Sequence, residues 1–243
     1  SEYFVFRGQS HYTWHLLPSL YVAEKKKKWT KEDLEVNEFN IYFDFVTNGK
    51  GYINNSMKSW EVLMEMRHFG LPVRVLDWTE SFNAALYFAV IDSKVSQKFD
   101  KRKEDAAIFV LDPYVLNEFS LEESRIFNPL EKNFIDFFEV FLDGQVSQKF
   151  NKKLDNPFSI IIPRMSERIY AQQGLFTVQG FNNKCIDEIP GLEHCFRKIK
   201  IEKKYFQEIK EYLEFSGVNH FSIYPDFEGL AKDIKEGYGL GND

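Results

Sequence analysis

The sequence is poor in cysteine, has no long apolar run and carries no excess of positive charge, and each shortage removes a class of protein. Its 243 residues include two cysteines, Cys185 and Cys195. They form no Cys-x-x-Cys pair and no Cys/His cluster with zinc spacing, so neither a disulfide-stapled secreted fold nor a zinc finger is expected. No stretch approaches the ~20 apolar residues that span a bilayer. The first six residues lack the basic start and apolar middle of a secretory signal. A reducing, cytoplasmic setting without a membrane partner is the expectation. The net charge is −6, and strong general nucleic-acid binding is not expected, because that needs a basic field to displace counterions. The run Lys25-Lys26-Lys27-Lys28 is a local exception and reads most simply as a solvated surface. There is no Gly-x-x-x-x-Gly-Lys phosphate loop, Gly-x-Ser-x-Gly elbow or His-Glu-x-x-His pair. His11 and His15 stand four apart, but their stretch holds Pro18 and has weak periodicity, so no metal site is expected.

What is there is apolar and aromatic. Hydrophobic residues make up 44 % and aromatics 17 %, with 25 phenylalanines. The length suits one sizeable core, and buried rings would dominate it. Tyr3 to Phe6 reads as a strand that stops at Arg7-Gly8. Thr30, with Asp33 three residues on, caps a helix running to Val46. Ser59 to His68 is a helix with Trp60, Leu63 and Met64 on one face, ended by Gly70 and blocked by Pro72. Val73 to Leu76 is a short strand, after which Thr79 caps a helix that buries Phe82, Leu86, Ala89 and Val90. Ala106 to Leu111 is a strand buried on both faces, ended by Asp112-Pro113. Residues 114–155 show no clear period. Beyond them come a strand at Ser159 to Ile162, a helix over Ser166 to Gln173, and a strand at Leu175 to Val178. An edge strand at Arg197 to Ile201 follows, then a helix through Tyr205 to Leu213 closed near Gly217, and a last helix from Phe227 to Ile234. Strands and helices are interspersed without regular βαβ order. That predicts one α+β domain over residues 1–236, a mixed sheet core flanked by helices, with a loose tail at 237–243.

Three segments carry candidate chemistry. In Phe6-Arg7-Gly8-Gln9, Arg7 offers a rigid fork that matches phosphate bidentately, and Gly8 permits close approach of backbone or ligand. The plain alternative is a structural Arg paired near a turn. In His68-Phe69-Gly70-Leu71-Pro72-Val73-Arg74-Val75-Leu76-Asp77-Trp78-Thr79, a strand delivers Asp77, Trp78 and Thr79 to a helix start, where free N–H groups favour anions. Trp78 can stack on a flat ring. Asp77 can bind a ribose hydroxyl or pair with Arg7 or Arg74. The alternative is helix capping beside a core tryptophan. In Arg168 to Gly174, Gln172 and Gln173 can read a hydroxyl or amide but are poor bases.

Together these segments resemble the FRG domain family, named for its Phe-Arg-Gly motif. The resemblance runs through Phe6 to Gln9, His68 to Thr79, Ala84-Ala85-Leu86-Tyr87-Phe88-Ala89, and Arg168 through Gln172 to Phe176. The family is largely bacterial and phage-related, which implies a toxin or phage-defence role.

The motif order is also similar to that of ADP-ribosyltransferases, which have an Arg or His ending a first strand, a polar strand before an Ala-x-x-Phe helix, and a late Glu near a strand. That resemblance implies an ADP-ribosyltransferase-like fold. It further implies an enzyme that cleaves NAD, its substrate, at the nicotinamide bond and passes ADP-ribose to a macromolecular acceptor. Arg7, Asp77, Gln173 and Glu167 are the implied catalytic residues. Arg7, Gly8, Gln9, His68, Arg74, Trp78, Thr79 and Gln172 are the implied NAD-binding ones. The third position holds Gln172 or Gln173 rather than Glu. A neutral amide orients a ribose but offers no charge, so Asp77 or Glu167 supplies it or the domain only binds a nucleotide or partner as a sensor. Nuclease-like chemistry on His68 and Arg7 ranks last, for want of a metal cluster or paired histidines.

Overall fold

The computed structural model describes residues 3–54, 56–91, 104–131, 134–142, 154–162 and 174–240. Among these residues, six strands form one sheet: β1 Val5–Gln9, β2 Val75–Thr79, β3 Ala106–Leu111, β4 Phe158–Ile160, β5 Gly174–Val178 and β6 Phe196–Ile201. Their order across the sheet is β4-β5-β2-β1-β3-β6. Every pair of neighbours is antiparallel, so the expected mixed sheet is an antiparallel one. The helices lie in the connections as expected, and each strand runs against the neighbours it pairs with.

Among the described residues, eight helices flank the sheet: α1 Ser19–Lys27, α2 Lys31–Asn48, α3 Ser59–His68, α4 Phe82–Val90, α5 Pro113–Leu121, α6 Phe206–Phe215, α7 His220–Ile223 and α8 Phe227–Gly237. None of the described helices is long and apolar enough to cross a membrane. Local chemistry accounts for several boundaries. Thr30 and Asp33 form the reciprocal capping box that starts α2. Gly70, at φ +78°, ends α3: its N–H donates to the Arg67 carbonyl and that of Leu71 to the Met66 carbonyl. Gly217, at φ +73°, closes α6 the same way. Asp112 accepts from the Tyr114 and Val115 N–H groups, and Pro113 takes the first position of α5.

Several expected boundaries move. Strand β1 does not stop at Arg7-Gly8 but runs through to Gln9, because β3 pairs with all five of its residues. Thr79 does not cap α4; it ends β2, opposite both Phe6 and Gly174. Ser81 is the cap, its Oγ accepting from the Ala84 N–H at 3.2 Å, while Thr79 Oγ1 accepts from the Ser81 N–H at 3.0 Å. The last helix runs past Ile234 to Gly237, and residues 241–243 of the expected tail lie outside the described residues.

The core divides around the sheet. α4, α6 and α7 cover one face of β1 and β3 through Ala85, Ala89, Ile108, Phe206 and Leu213. The opposite face packs Val5, Phe109 and Trp78 against Leu16, Ile186 and Leu192. α2, α3 and the turn Phe138–Leu142 cover the β5–β4 end with Trp60, Phe137, Phe158 and Val178.

Gly8 sets the depth of α4. A Cβ on Gly8 would lie 1.9 Å from the Ala85 carbonyl oxygen and 2.6 Å from the Ala89 nitrogen. These are backbone atoms of a buried helix, so a methyl group forces strand and helix apart. Gly8→Ala should therefore lower stability by roughly 3 kcal/mol, at the upper end of overpacking costs. Gly51→Ala, in open space, should stay within about 0.5 kcal/mol of the parent. Urea unfolding of both variants checks the contrast.

Candidate functional site

The pairing of β1 with β2 is confined to Phe6 opposite Thr79, although each strand pairs along five residues with its other neighbour. Past that point the two central strands separate. The Asp77 carbonyl oxygen, which an unbroken ladder would spend on β1 backbone, accepts from Arg7 Nη1 at 2.7 Å. A cleft of about 840 Å³ opens here, within the usual range for small-ligand sites. It is lined by Phe6 to Ser10 from β1 and its end, by Val75 to Thr79 from β2, and by Trp14, His15, Lys25, Arg67, Cys185 and Tyr224.

Arg7 and Asp77 leave their strands on opposite faces. Arg7 sits opposite Phe109 and shares its face, whereas Asp77, two residues from Thr79, is on the side of Phe6. They meet across the gap, with Nη1 3.9 Å from Asp77 Oδ2. The same carboxylate oxygen holds Arg67 Nη2 in a short ion pair. One carboxylate thus serves two guanidiniums. Burial lowers the Arg7 pKa to about 10; Asp77 opposes that shift and Arg67 adds to it. Arg67, closer to Asp77, is raised instead, by that carboxylate above all. Among the described residues, Arg7 Nε, Arg67 Nε and Gln9 Oε1 are buried without a hydrogen-bond partner. Unmet polar atoms are rare in native proteins and concentrate where ligands bind.

The other residues singled out from sequence separate into those in the cleft and those outside it. Gly8, Gln9, Trp78 and Thr79 line it. Gly8 serves α4 packing first. Trp78 is 2 % exposed and its Nε1 donates to Thr177 Oγ1 at 3.0 Å, so its indole is core rather than a stacking surface. The ring offered to the cleft is Trp14, 51 % exposed. Arg74 is outside. Its Nε donates to Glu38 Oε1 at 2.6 Å, its Nη2 pairs with Glu38 Oε2, and its Nη1 donates to the Gln179 carbonyl at 3.2 Å. It also lies 4.1 Å over the Phe141 ring. Burial alone would lower its pKa, but Glu38 and Tyr21 outweigh that and raise it. His68, exposed at the end of α3, packs edge-on against Phe69 and is not a lining residue. Glu167, Gln172, Gln173 and the helix expected over Ser166 to Gln173 lie outside the described residues.

Sequence reasoning missed Arg67. Helical phase was the available signal: Arg67 lies one turn beyond Leu63 and Met64, both buried. It also missed His15, Lys25, Cys185 and Tyr224, which nothing in the sequence links to Arg7. The anion-attracting groups here are side chains rather than the start of α4, whose N-terminus Ser81 caps. Of the described lining residues, Arg7, Arg67 and Lys25 are cationic and Asp77 is the one carboxylate. A basic cleft in a chain of net charge −6 is suited to an anion.

The lowered Arg7 pKa has a consequence for stability. The unfolded chain holds this proton more tightly than the folded one at about 10, so desolvation of the cation destabilises the fold at neutral pH, a penalty relieved only as pH rises above that value. Replacing Arg7 should therefore do little harm: Arg7→Met should change stability by less than about 1 kcal/mol in either direction, a polar contact being exchanged for relief of desolvation. Asp77→Asn leaves two neighbouring guanidiniums without a counter-charge. It should lower stability by about 2 kcal/mol, a figure reduced from fully buried pairs because Asp77 is 36 % exposed. Thermal melts at pH 7 of both variants test the asymmetry.

Residues 2–98 match the family model described as FRG domain. No curated protein and no solved structure matches the chain. The matched stretch carries β1, α1 to α3, β2 and α4, and with them both strands of the cleft and the helix seated on Gly8. Over residues 2–98 the chain is thus similar to the FRG domain family.

Proposed function

We propose that the β1–β2 cleft binds NAD and that the chain is an ADP-ribosyltransferase-like enzyme, cleaving the nicotinamide bond and passing ADP-ribose to a macromolecule. The observation that carries this reading is the pair of guanidiniums, Arg7 and Arg67, sharing Asp77 inside a cleft of about 840 Å³. Two planar forks with unmet buried donors suit the pyrophosphate of a dinucleotide. Trp14 supplies a face for a flat ring. The motif order expected from ADP-ribosyltransferases falls on adjacent strands: Arg7 on β1, Asp77 to Thr79 on β2, and β5 next to β2, with Gly174 opposite Thr79.

In the reaction the bond between the ribose C1′ and the nicotinamide nitrogen breaks with its electron pair leaving on nicotinamide. A nucleophile of the acceptor then bonds to C1′ and loses its proton. The intervening centre is oxocarbenium-like and is stabilised by a nearby carboxylate. Asp77 meets that need in part only while both guanidiniums neutralise it. Pyrophosphate oxygens that draw on Arg7 and Arg67 leave more of its charge for the ribose. Glu167 is the other candidate.

A second reading, binding without turnover, is favoured by one observation: the cleft's described carboxylate is already committed to two arginines. It predicts a sensor that holds a nucleotide unchanged.

Nicotinamide release from NAD decides between them, with purified protein alone and with total cell protein, RNA and DNA as acceptors. The enzyme reading expects release that Arg7→Ala and Asp77→Ala each lower at least a hundredfold, and NAD affinity at least tenfold weaker in Arg67→Ala. NAD binding without release selects the sensor. No NAD binding at all removes both forms of the proposal.

A further inference from the structure

On the wall of the cleft, away from Arg7 and Asp77, two segments 170 residues apart converge. His15 lies beside Cys185 and Glu188, and one ligand-capable atom from each falls within 4.8 Å of the others. Backbone contacts hold the segments together. The Leu16 N–H donates to Asp187 Oδ1 at 2.7 Å, the Ile186 N–H donates to the Leu16 carbonyl at 2.9 Å, and residues Ile186–Glu188 form a short 3-10 turn. The side chains therefore meet on a prepared frame. Asp187 Oδ2 lies 2.9 Å from His15 Nδ1 and orients the ring, as outer carboxylates do for ligating imidazoles.

We propose that His15, Cys185 and Glu188 form a binding site for one divalent transition-metal ion of the zinc type. A thiolate, an imidazole and a carboxylate are a three-ligand set of the kind that leaves a fourth position for water or a ligand. The sulfur turns the site away from magnesium and calcium, which prefer oxygen. Cys185 is buried, whereas His15 and Glu188 are exposed, so the set is anchored on one side and open on the other. The Lys25 ammonium, 3.6 Å from Cys185 Sγ, is the like-charged neighbour an ion must displace. Lys25 is an exposed side chain on a flexible stem and can swing away. The ion site does not depend on which anion the cleft takes.

Cobalt is the probe, because cobalt–thiolate bonding gives a charge-transfer band in the near ultraviolet and Cys195 provides an internal control. The chain is stripped of metal with a chelator, kept reduced and titrated with Co²⁺. The expected result is one Co²⁺ per chain with a charge-transfer band, unchanged in Cys195→Ser and abolished in Cys185→Ser. Binding should be at least tenfold weaker in His15→Ala and Glu188→Gln, and tighter in Lys25→Met. Independently of any variant, excess Zn²⁺ should raise the melting temperature of the parent chain. A parent chain with no band and no shift, or a band that survives in Cys185→Ser or vanishes equally in Cys195→Ser, overturns the proposal.

Discussion

At Gly8, helix α4 lies on β1 with no strand side chain between them, and the placing of the cleft follows from that contact. Gly8 presents only a hydrogen to the Ala85 carbonyl and the Ala89 nitrogen, and Ala84, Ala85 and Ala89 keep the facing surface of α4 equally shallow. Dispersion over so close an approach, together with exclusion of water from both backbones, fixes the height and rotation of β1. With Gly8 pinned towards α4, strand alternation sends Arg7 to the other face, where β2 has already drawn away. The Phe-Arg-Gly stretch and the Ala-Ala-Leu-Tyr-Phe-Ala stretch are thus two halves of one packing device, and the arginine between them is aimed by it.

Two arginines of similar sequence surroundings are put to opposite uses. Arg74 has its carboxylate, its carbonyls and an aromatic face beneath it. A guanidinium so fully satisfied ties α2 to the end of β2 and has nothing left to offer a ligand. Arg7 is half-buried with one good hydrogen bond, a carboxylate at 3.9 Å that Arg67 already claims, and an unmet Nε. Natural folds tolerate such an arrangement where a ligand completes it.

Much of the fold was legible because local chemistry decided it. The Thr30–Asp33 box, the glycines at 70 and 217, and the apolar run of Ala106 to Leu111 each specify their element within a few residues of chain. The ends of β1 and β2 were not legible, because a strand extends as far as its partner pairs, and β3 and β5 lie far away in sequence. The same limit explains the site. Arg7 and Asp77 were readable as candidates, since each stands in a dense motif. Arg67 was passed over for His68 because the two are adjacent and only the tilt of α3 decides which faces the strand. Trp78 looked like a stacking ring because nothing local announces that Thr177, 99 residues on, takes its N–H. His15 was weighed with His11 and Cys185 with Cys195, and residues 170 apart carry no pattern until the fold joins them.

The remaining question is why an acidic chain concentrates cations at one place. A net charge of −6 spread over the surface is screened within about 8 Å at physiological ionic strength, so an approaching anion is repelled weakly until it nears the cleft. Inside, low-dielectric walls shield Arg7 and Arg67 from solvent, and their field reaches the ligand with less loss. Asp77 tempers that field without abolishing it, because one carboxylate stands against two guanidiniums and Lys25. An anion that entered would take hydrogen bonds from Arg7 and Arg67 and would offset the desolvation that holds Arg7 below its ordinary pKa. Binding is favoured twice by the same arrangement. The poorly compensated charge of Arg7 and Arg67 is therefore what would give the cleft an affinity for an anion.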